Sequence, residues 1–182
     1  MKESYRNQLV LRLPTHSVGV EVGVHKGEFS TFLLNSLQPK KLHLIDPWRY
    51  EASEQYDQSW YGGMADGQSE LDERFDSVKK KFQQEIAKGV VVIHRMDSSL
   101  ALDTFETESL DWVYIDGNHL YDFVLKDLYA SFSKVKKGGI ISGDDYQPGG
   151  WWDGGVIKAV DEFCDKLSLR KEIIGNQFLI YL

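Results

Sequence analysis

Cysteine is nearly missing from this chain, with one residue, Cys164, in 182. A lone thiol neither staples a fold internally nor builds a thiolate metal cluster, so a disulfide scaffold and a cysteine zinc site are excluded. Cys164 reads as a small buried hydrophobe. Long apolar runs are absent as well: no stretch approaches the roughly 20 residues of a membrane-spanning helix. Basic charge is in short supply, with 21 Lys and Arg against 28 Asp and Glu and a net charge of −7. Phosphate backbones select basic surfaces, so this balance argues against a nucleic-acid partner. Met1 to Thr15 is polar and charged without an apolar core, so no secretory signal is expected. These absences lead us to expect a cytoplasmic protein with no membrane partner.

What the chain does have is 42% apolar and 13% aromatic residues, too much for a disordered segment. Its length suits a single domain, residues 1–182, burying roughly 70% of the unfolded chain's surface. Short apolar runs, each ending in an acid or a glycine, alternate with helix-like segments. Val18 to Val24, Lys41 to Asp46, Val90 to Met96, Leu110 to Asp116 and Gly139 to Gly143 read as strands. Helices are expected over Gly27 to Leu37, Leu71 to Lys88, Tyr121 to Lys134 and Val156 to Leu167. Two last strands, Lys171 to Ile174 and Gln177 to Leu182, flank a short Gly175-Asn176 turn and suggest a hairpin. Alternating strands and helices imply a doubly wound α/β fold: a mostly parallel sheet of seven strands with an antiparallel C-terminal hairpin strand. Ligands of such sheets bind outside the carboxyl ends of the strands, here Gly23, Asp46, Asp97, Asp116 and Asp144.

The first strand end carries Glu21-Val-Gly23-Val-His-Lys-Gly27. Two glycines at a strand-to-helix turn let a ligand approach backbone amides at a helix N-terminus. Asp46 closes the next strand, where a carboxylate can accept both hydroxyls of a ribose. This is the layout of a nucleoside-cofactor site. It is not the dinucleotide fingerprint, which would place a glycine where His25 stands, and that disfavours a nicotinamide-dependent oxidoreductase.

The fourth strand ends Tyr-Ile-Asp116-Gly-Asn-His119, and the fifth ends Gly143-Asp144-Asp145-Tyr146. Neighbouring strands lie about 5 Å apart, so Asp116, Asp144 and Asp145 can converge. Three such carboxylates repel unless a cation neutralises them, and oxygen ligands favour Mg²⁺, Mn²⁺ or Ca²⁺. The competing reading is local capping of loops and of the next helix. His119 stands at the mouth of the same site and titrates in the range a general base needs; it equally suits orienting the loop by hydrogen bonding.

Two irregular segments complete the picture. Residues 47–69 and 146–155 hold four of the five tryptophans, Trp48, Trp60, Trp151 and Trp152. Aromatics packing these loops onto the core and a substrate lid at 47–69 are equal alternatives.

Together, E-V-G-V-H-K-G, L-I-D-P-W, Y-I-D-G-N-H-L-Y and G-G-I-I-S-G-D-D-Y resemble the class I S-adenosylmethionine-dependent methyltransferases. More narrowly they resemble the macrocin O-methyltransferase type and, at greater distance, the cation-dependent catechol O-methyltransferases. The resemblance runs from about Val18 to the final strand and implies a Rossmann-like fold. It implies that Glu21, Gly23 and Gly27 line the methionine end of S-adenosylmethionine. By the same resemblance Asp46 takes the ribose hydroxyls and Asp97 with Ser98 lies by the adenine. Asp116, Asp144 and Asp145 would hold Mg²⁺ or another divalent cation, with Asp116 and His119 catalytic. The serine often found two residues after the second glycine is displaced: Phe29 stands there and Ser30 follows, so Ser30 becomes the candidate carboxylate contact. The implied reaction is cation-assisted methylation of a hydroxyl on a small molecule such as a sugar, polyketide or phenol. Its alternatives are a metal-independent methyltransferase and a non-catalytic cofactor-binding module. A homodimer stays open.

Overall fold

A computed structural model describes residues 2–182, with side chains from Tyr5 onward. A helix, α1 (Lys2–Val10), precedes the alternating units. These run β1 (Val18–Val22), α2 (Glu28–Leu37), β2 (Lys41–Ile45), α3 (Gln68–Lys81), α4 (Gln83–Ala87), β3 (Val91–His94), α5 (Ser98–Asp103), β4 (Leu110–Ile115), α6 (Tyr121–Phe132), β5 (Val135–Gly143) and α7 (Gly155–Leu167). The chain closes with β6 (Arg170–Ile174) and β7 (Gln177–Tyr181). Among the described residues no helix is long and apolar enough to cross a membrane.

The strands form one Rossmann-like sheet in the order β3-β2-β1-β4-β5-β7-β6. β1 to β5 are mutually parallel; β7 runs antiparallel to both β5 and β6. The expected hairpin therefore exists, but its second strand is the one inserted against β5, and β6 forms the edge. Strand order reverses between β1 and β4, which opens the crevice above their carboxyl ends.

Side-chain alternation along each strand supplies both faces of the sheet. On β4, Trp112 and Tyr114 join the core beneath α1, α2 and α3, with Leu9, Leu33, Leu71 and Val78. Val113 and Ile115 point the other way, into the core made with α5, α6 and α7 through Leu102, Leu128, Val160 and Phe163. Trp112 is fully buried, and its indole N–H donates to Ser17 Oγ at 2.9 Å, which satisfies the polar end of a large apolar ring.

Three elements differ from the sequence expectation. The helix expected over Leu71 to Lys88 is broken at Phe82 (φ −104°, ψ 18°), which separates α3 from α4. Phe82 is buried, and its ring lies against Gly27 and the Val78 side of α3. Tertiary burial of that ring overrides the helical period. The short α5 and the N-terminal α1 had no strong periodic signal, and α1 has consequences for the site.

Candidate active site

A cavity of about 590 Å³ opens at the carboxyl ends of the parallel strands. That volume suits a small-molecule or cofactor site. All five strand-end residues expected there, Gly23, Asp46, Asp97, Asp116 and Asp144, line it. Its backbone is strained in a telling way. His25 (φ 54°), Trp48 (φ 42°) and Asp145 (φ 57°) are non-glycine residues in left-handed conformation, and each borders the cavity. Such strain concentrates where the surrounding structure holds a working geometry.

The glycine turn begins at Gly23 (φ +87°), where a Cβ would stand 2.0 Å from the Asp116 carbonyl oxygen. Glycine is required there to let the ends of β1 and β4 cross closely. Asp46 ties the same turn down. Its Oδ2 accepts the N–H groups of Val24 and His25, both at 3.0 Å, and its Oδ1 accepts that of Trp48 at 2.7 Å. Burial raises the Asp46 pKa, and these three donors oppose the rise. A carboxylate offers about four acceptor positions, so room for a ligand hydroxyl remains. Glu21 is fully buried and accepts Ser30 Oγ at 2.5 Å; burial pushes its pKa up to about 8. Ser30 and Gly27, both expected to touch the cofactor, do not line the cavity. Ser30 is spent on Glu21, and Gly27 caps α2 with its Cα turned to Phe82.

At the third strand end, Asp97 pairs with Arg49 Nη1 at 3.0 Å, and Ser98 Oγ donates to Asp127 Oδ1 at 2.5 Å. Asp127 escaped the sequence reading. Its signal is an acid within the buried α6 stripe Val124, Asp127, Leu128, Ser131. Burial pushes its pKa up to about 7, opposed by the Ser98 hydrogen bond. The folded protein therefore holds a proton there that the unfolded chain, with a carboxyl near 3.9, has released above that pH. The Asp127 contribution to stability falls as pH rises from about 4 to about 7, at up to about 1.4 kcal/mol per unit, and is exhausted above that. Asp127→Asn, a mimic of the neutral acid, is expected to make that decline shallower in denaturant titrations across this range. Parallel profiles for variant and parent would refute the assignment.

The acidic corner holds the chemistry. His119 Nε2 lies 3.4 Å from Asp116 Oδ1 and 3.3 Å from Asp145 Oδ2. Burial works against its positive charge, but Asp116 and Asp145 outweigh it, and the pKa is raised. Nδ1 of the same ring is buried and has no hydrogen-bond partner among the described residues. Burial, too, raises the pKa of Asp116, against His119 and Arg6. Trp151 and Trp152 roof the imidazole, their ring centroids 6.0 and 5.0 Å away. Tyr56 and Tyr61, from residues 47–69, meet Trp151 edge-on at 5.5 and 6.1 Å, and Asn118 Nδ2 donates to Tyr56 Oη at 3.0 Å. The two aromatic loops thus close on each other above His119. Trp48 instead is core, with its indole N–H on the His25 carbonyl at 2.9 Å.

The expected cation trio does not assemble. The grouped donors are Asp116, His119 and Asp145, with ligand atoms within 4.8 Å of one another. Asp144 is not among them, because its oxygens are taken up by other donors. Its Oδ1 accepts the Asp145 N–H at 2.7 Å and the Asn176 and Gln177 amides at 2.5 Å each. Its Oδ2 accepts Nε (3.0 Å) and Nη2 of Arg6, a residue of α1 that no sequence motif marked. The same Nη2 reaches Asp116 Oδ2 at 2.5 Å. Burial disfavours the guanidinium charge, but Asp116, Tyr114 and Asp144 outweigh that and raise the Arg6 pKa. Asp116 and Asp144 therefore share an arginine, and a divalent ion bridging them does not fit.

Donors and cavity do fit S-adenosylmethionine. Besides its acids, the cavity is lined by His25 and Tyr61, whose Nε2 and Oη are buried without partners among the described residues. Burial, then Arg74 and Lys26, hold His25 neutral by lowering its pKa to about 4.

Comparison with known proteins places this geometry. SMU.1697c of Streptococcus mutans, solved in complex with S-adenosylhomocysteine, superposes with a TM-score of 0.62 at 14% identity, over 99% of this chain and 96% of that one. The O-methyltransferase NovP gives 0.64 at 18% identity, over 98% and 78%. A SAM-dependent methyltransferase of Aquifex aeolicus gives 0.60 at 12% identity, over 97% and 87%. Among curated proteins no sequence matches the chain. A family model described as a methyltransferase domain matches residues 20–146, from β1 through the acidic end of β5. The chain carries the fold of the SAM-dependent methyltransferases and belongs to this methyltransferase-domain family.

Proposed function

We propose that the protein transfers the methyl group of S-adenosylmethionine to a hydroxyl oxygen of a small molecule. The observation that carries the reading is the juxtaposition of a nucleoside-type cavity with a histidine held by two carboxylates beneath an aromatic roof. Glu21, Gly23, Asp46, Asp97 and Ser98 would hold the cofactor, and its bound sulfonium supplies an electrophilic methyl group. Asp46 and Asp116 place carboxylates at the cavity wall, which favours a cationic ligand. Glu21 keeps its proton near neutral pH, and a positive ligand beside it favours release of that proton.

The acceptor oxygen must lose a proton as it gains the methyl. Asp116 and Asp145 hold His119 through Nε2, which leaves Nδ1, buried in the free protein, to take that proton once an acceptor displaces what covers it, the division of labour expected of an oriented base. The aromatic loops, with residues 47–69 as the covering segment, exclude water and offer flat apolar surface to the acceptor. NovP, which shares the fold, is named an O-methyltransferase, and the chain's acidic balance favours a small-molecule acceptor over RNA.

Calorimetry with S-adenosylhomocysteine, followed by turnover of methyl-labelled cofactor against a panel of sugar, polyketide and phenolic hydroxyls, tests the reading. Saturable binding with label appearing on oxygen is expected. Absence of cofactor binding would end it, and binding without transfer to any hydroxyl would favour a non-catalytic module.

A further inference from the structure

The guanidinium between the strand-end acids has a use of its own. We infer that Arg6 is the resident cation of the Asp116–Asp144 pair, delivered by α1 into the position a divalent ion would need, so that the protein binds no divalent cation there. The coordination of Asp144 is the first support. Five donors, from Asp145, Asn176, Gln177 and twice from Arg6, converge on a carboxylate with about four acceptor positions, and none is left for a metal. Asp144 is 1% exposed, so these donors and its other neighbours cover nearly all of its surface.

The surroundings are those of a guanidinium. The Arg6 Cζ lies 4.8 Å above the Phe29 ring and 6.0 Å from that of Tyr114. Aromatic faces suit a planar, weakly hydrated cation, whereas Mg²⁺ usually retains several waters and needs polar space for them. Phe29 is also the residue that stands where the family resemblance implies a serine, so the departure in sequence and the stacked arginine belong together.

Finally, α1 is anchored. Leu9 and Val10 are buried in the core beneath the sheet, and Arg12 pairs with Glu172 at 3.3 Å. Tyr5 packs so closely on the β6–β7 turn that a Cβ on Gly175 would meet its ring at 2.2 Å. Seating an ion between the two acids requires displacing a guanidinium whose helix is anchored through Tyr5, Leu9 and Val10. The remaining donor group, Asp116 with His119 and Asp145, would bring a second cation against the Arg6 charge, with His119 Nε2 already facing both acids.

The inference concerns the acidic pair and does not depend on what is methylated. Mn²⁺ binding to the full chain, stripped with chelator, is measured by electron paramagnetic resonance with and without S-adenosylhomocysteine, for the parent, Arg6→Ala and Arg6→Lys. The parent is expected to show no saturable Mn²⁺ site into the millimolar range, and its S-adenosylhomocysteine affinity should be unchanged by EDTA. Arg6→Ala leaves two acids without their cation. It should unfold at lower temperature and either recover with Mn²⁺ or bind Mn²⁺ at least about tenfold tighter than the parent. Arg6→Lys, which keeps a charge but not the two-pronged fork, should stay folded and closed to Mn²⁺. Saturable submillimolar binding to the parent would overturn the inference, as would an Arg6→Ala variant with parental stability and parental indifference to Mn²⁺. Failure of S-adenosylhomocysteine to bind would strike the methyltransferase reading and leave this result standing.

Discussion

Replacing His119 with alanine is expected to lower methyl-transfer turnover about a hundredfold to ten-thousandfold, the usual contribution of a positioned general base. The geometry is specific about why. Nε2 is engaged by Asp116 and Asp145, and Nδ1 is buried without a partner, so the ring presents one oriented nitrogen. Cofactor affinity should stay within about twofold, because a base acts on the acceptor side and adds little to ground-state binding. The same assignment sets the sign of the pH dependence. Asp116 and Asp145 raise the His119 pKa against the effect of burial, so the proton is held above the ordinary value of about 6.5. Turnover should climb as pH rises through that raised value and then level, since only the neutral imidazole accepts a proton. Asp116→Asn should move the inflection down by removing a charge that favours the imidazolium. A parent profile flat from about pH 6 to 9, or undiminished turnover in His119→Ala, would reject the base role.

Asp46→Ala is expected to weaken S-adenosylmethionine binding about tenfold or more, roughly 1.4 kcal/mol or above. Two effects contribute. The carboxylate has acceptor capacity left for a ribose hydroxyl, and it also satisfies the backbone N–H groups of Val24, His25 and Trp48. Removing it orphans three donors and loosens the glycine turn. A cofactor lacking the ribose 2′-hydroxyl separates the two. If Asp46 holds that hydroxyl, the parent discriminates against the deoxy compound and Asp46→Ala does not. Equal discrimination by both proteins would assign Asp46 to the loop alone.

Asp46 is legible as an acid at a strand end, but its backbone partners Val24, His25 and Trp48 lie outside any spacing rule. Ser30 shows the converse: adjacent to the expected position in sequence, it donates to Glu21 behind the cavity wall and does not itself line the cavity. One residue along a helix turns a side chain by about 100°, so a displaced serine changes its target. Phe82 broke a helix that periodicity alone would continue, because its ring is worth more buried against Gly27 and Val78 than one further turn.

Local chemistry is what the linear order of residues settles unaided. Apolar runs of strand length, amphipathic spacing in the helices and the Gly175-Asn176 turn encode a parallel α/β sheet with its hairpin, because each rests on contacts within a few residues or on which face is apolar. The acids at the strand ends follow from that sheet. Which acid meets which cation is a matter of three dimensions. Arg6 and Asp144 are 138 positions apart, and α1 reaches the site by docking on α2 and on β6 and β7, the last strands of the chain. A carboxylate has no preference in sequence between a guanidinium and a metal ion. Burial does: once Asp144 is out of water and ringed by Asn176, Gln177 and a stacked arginine, the choice has been made by packing.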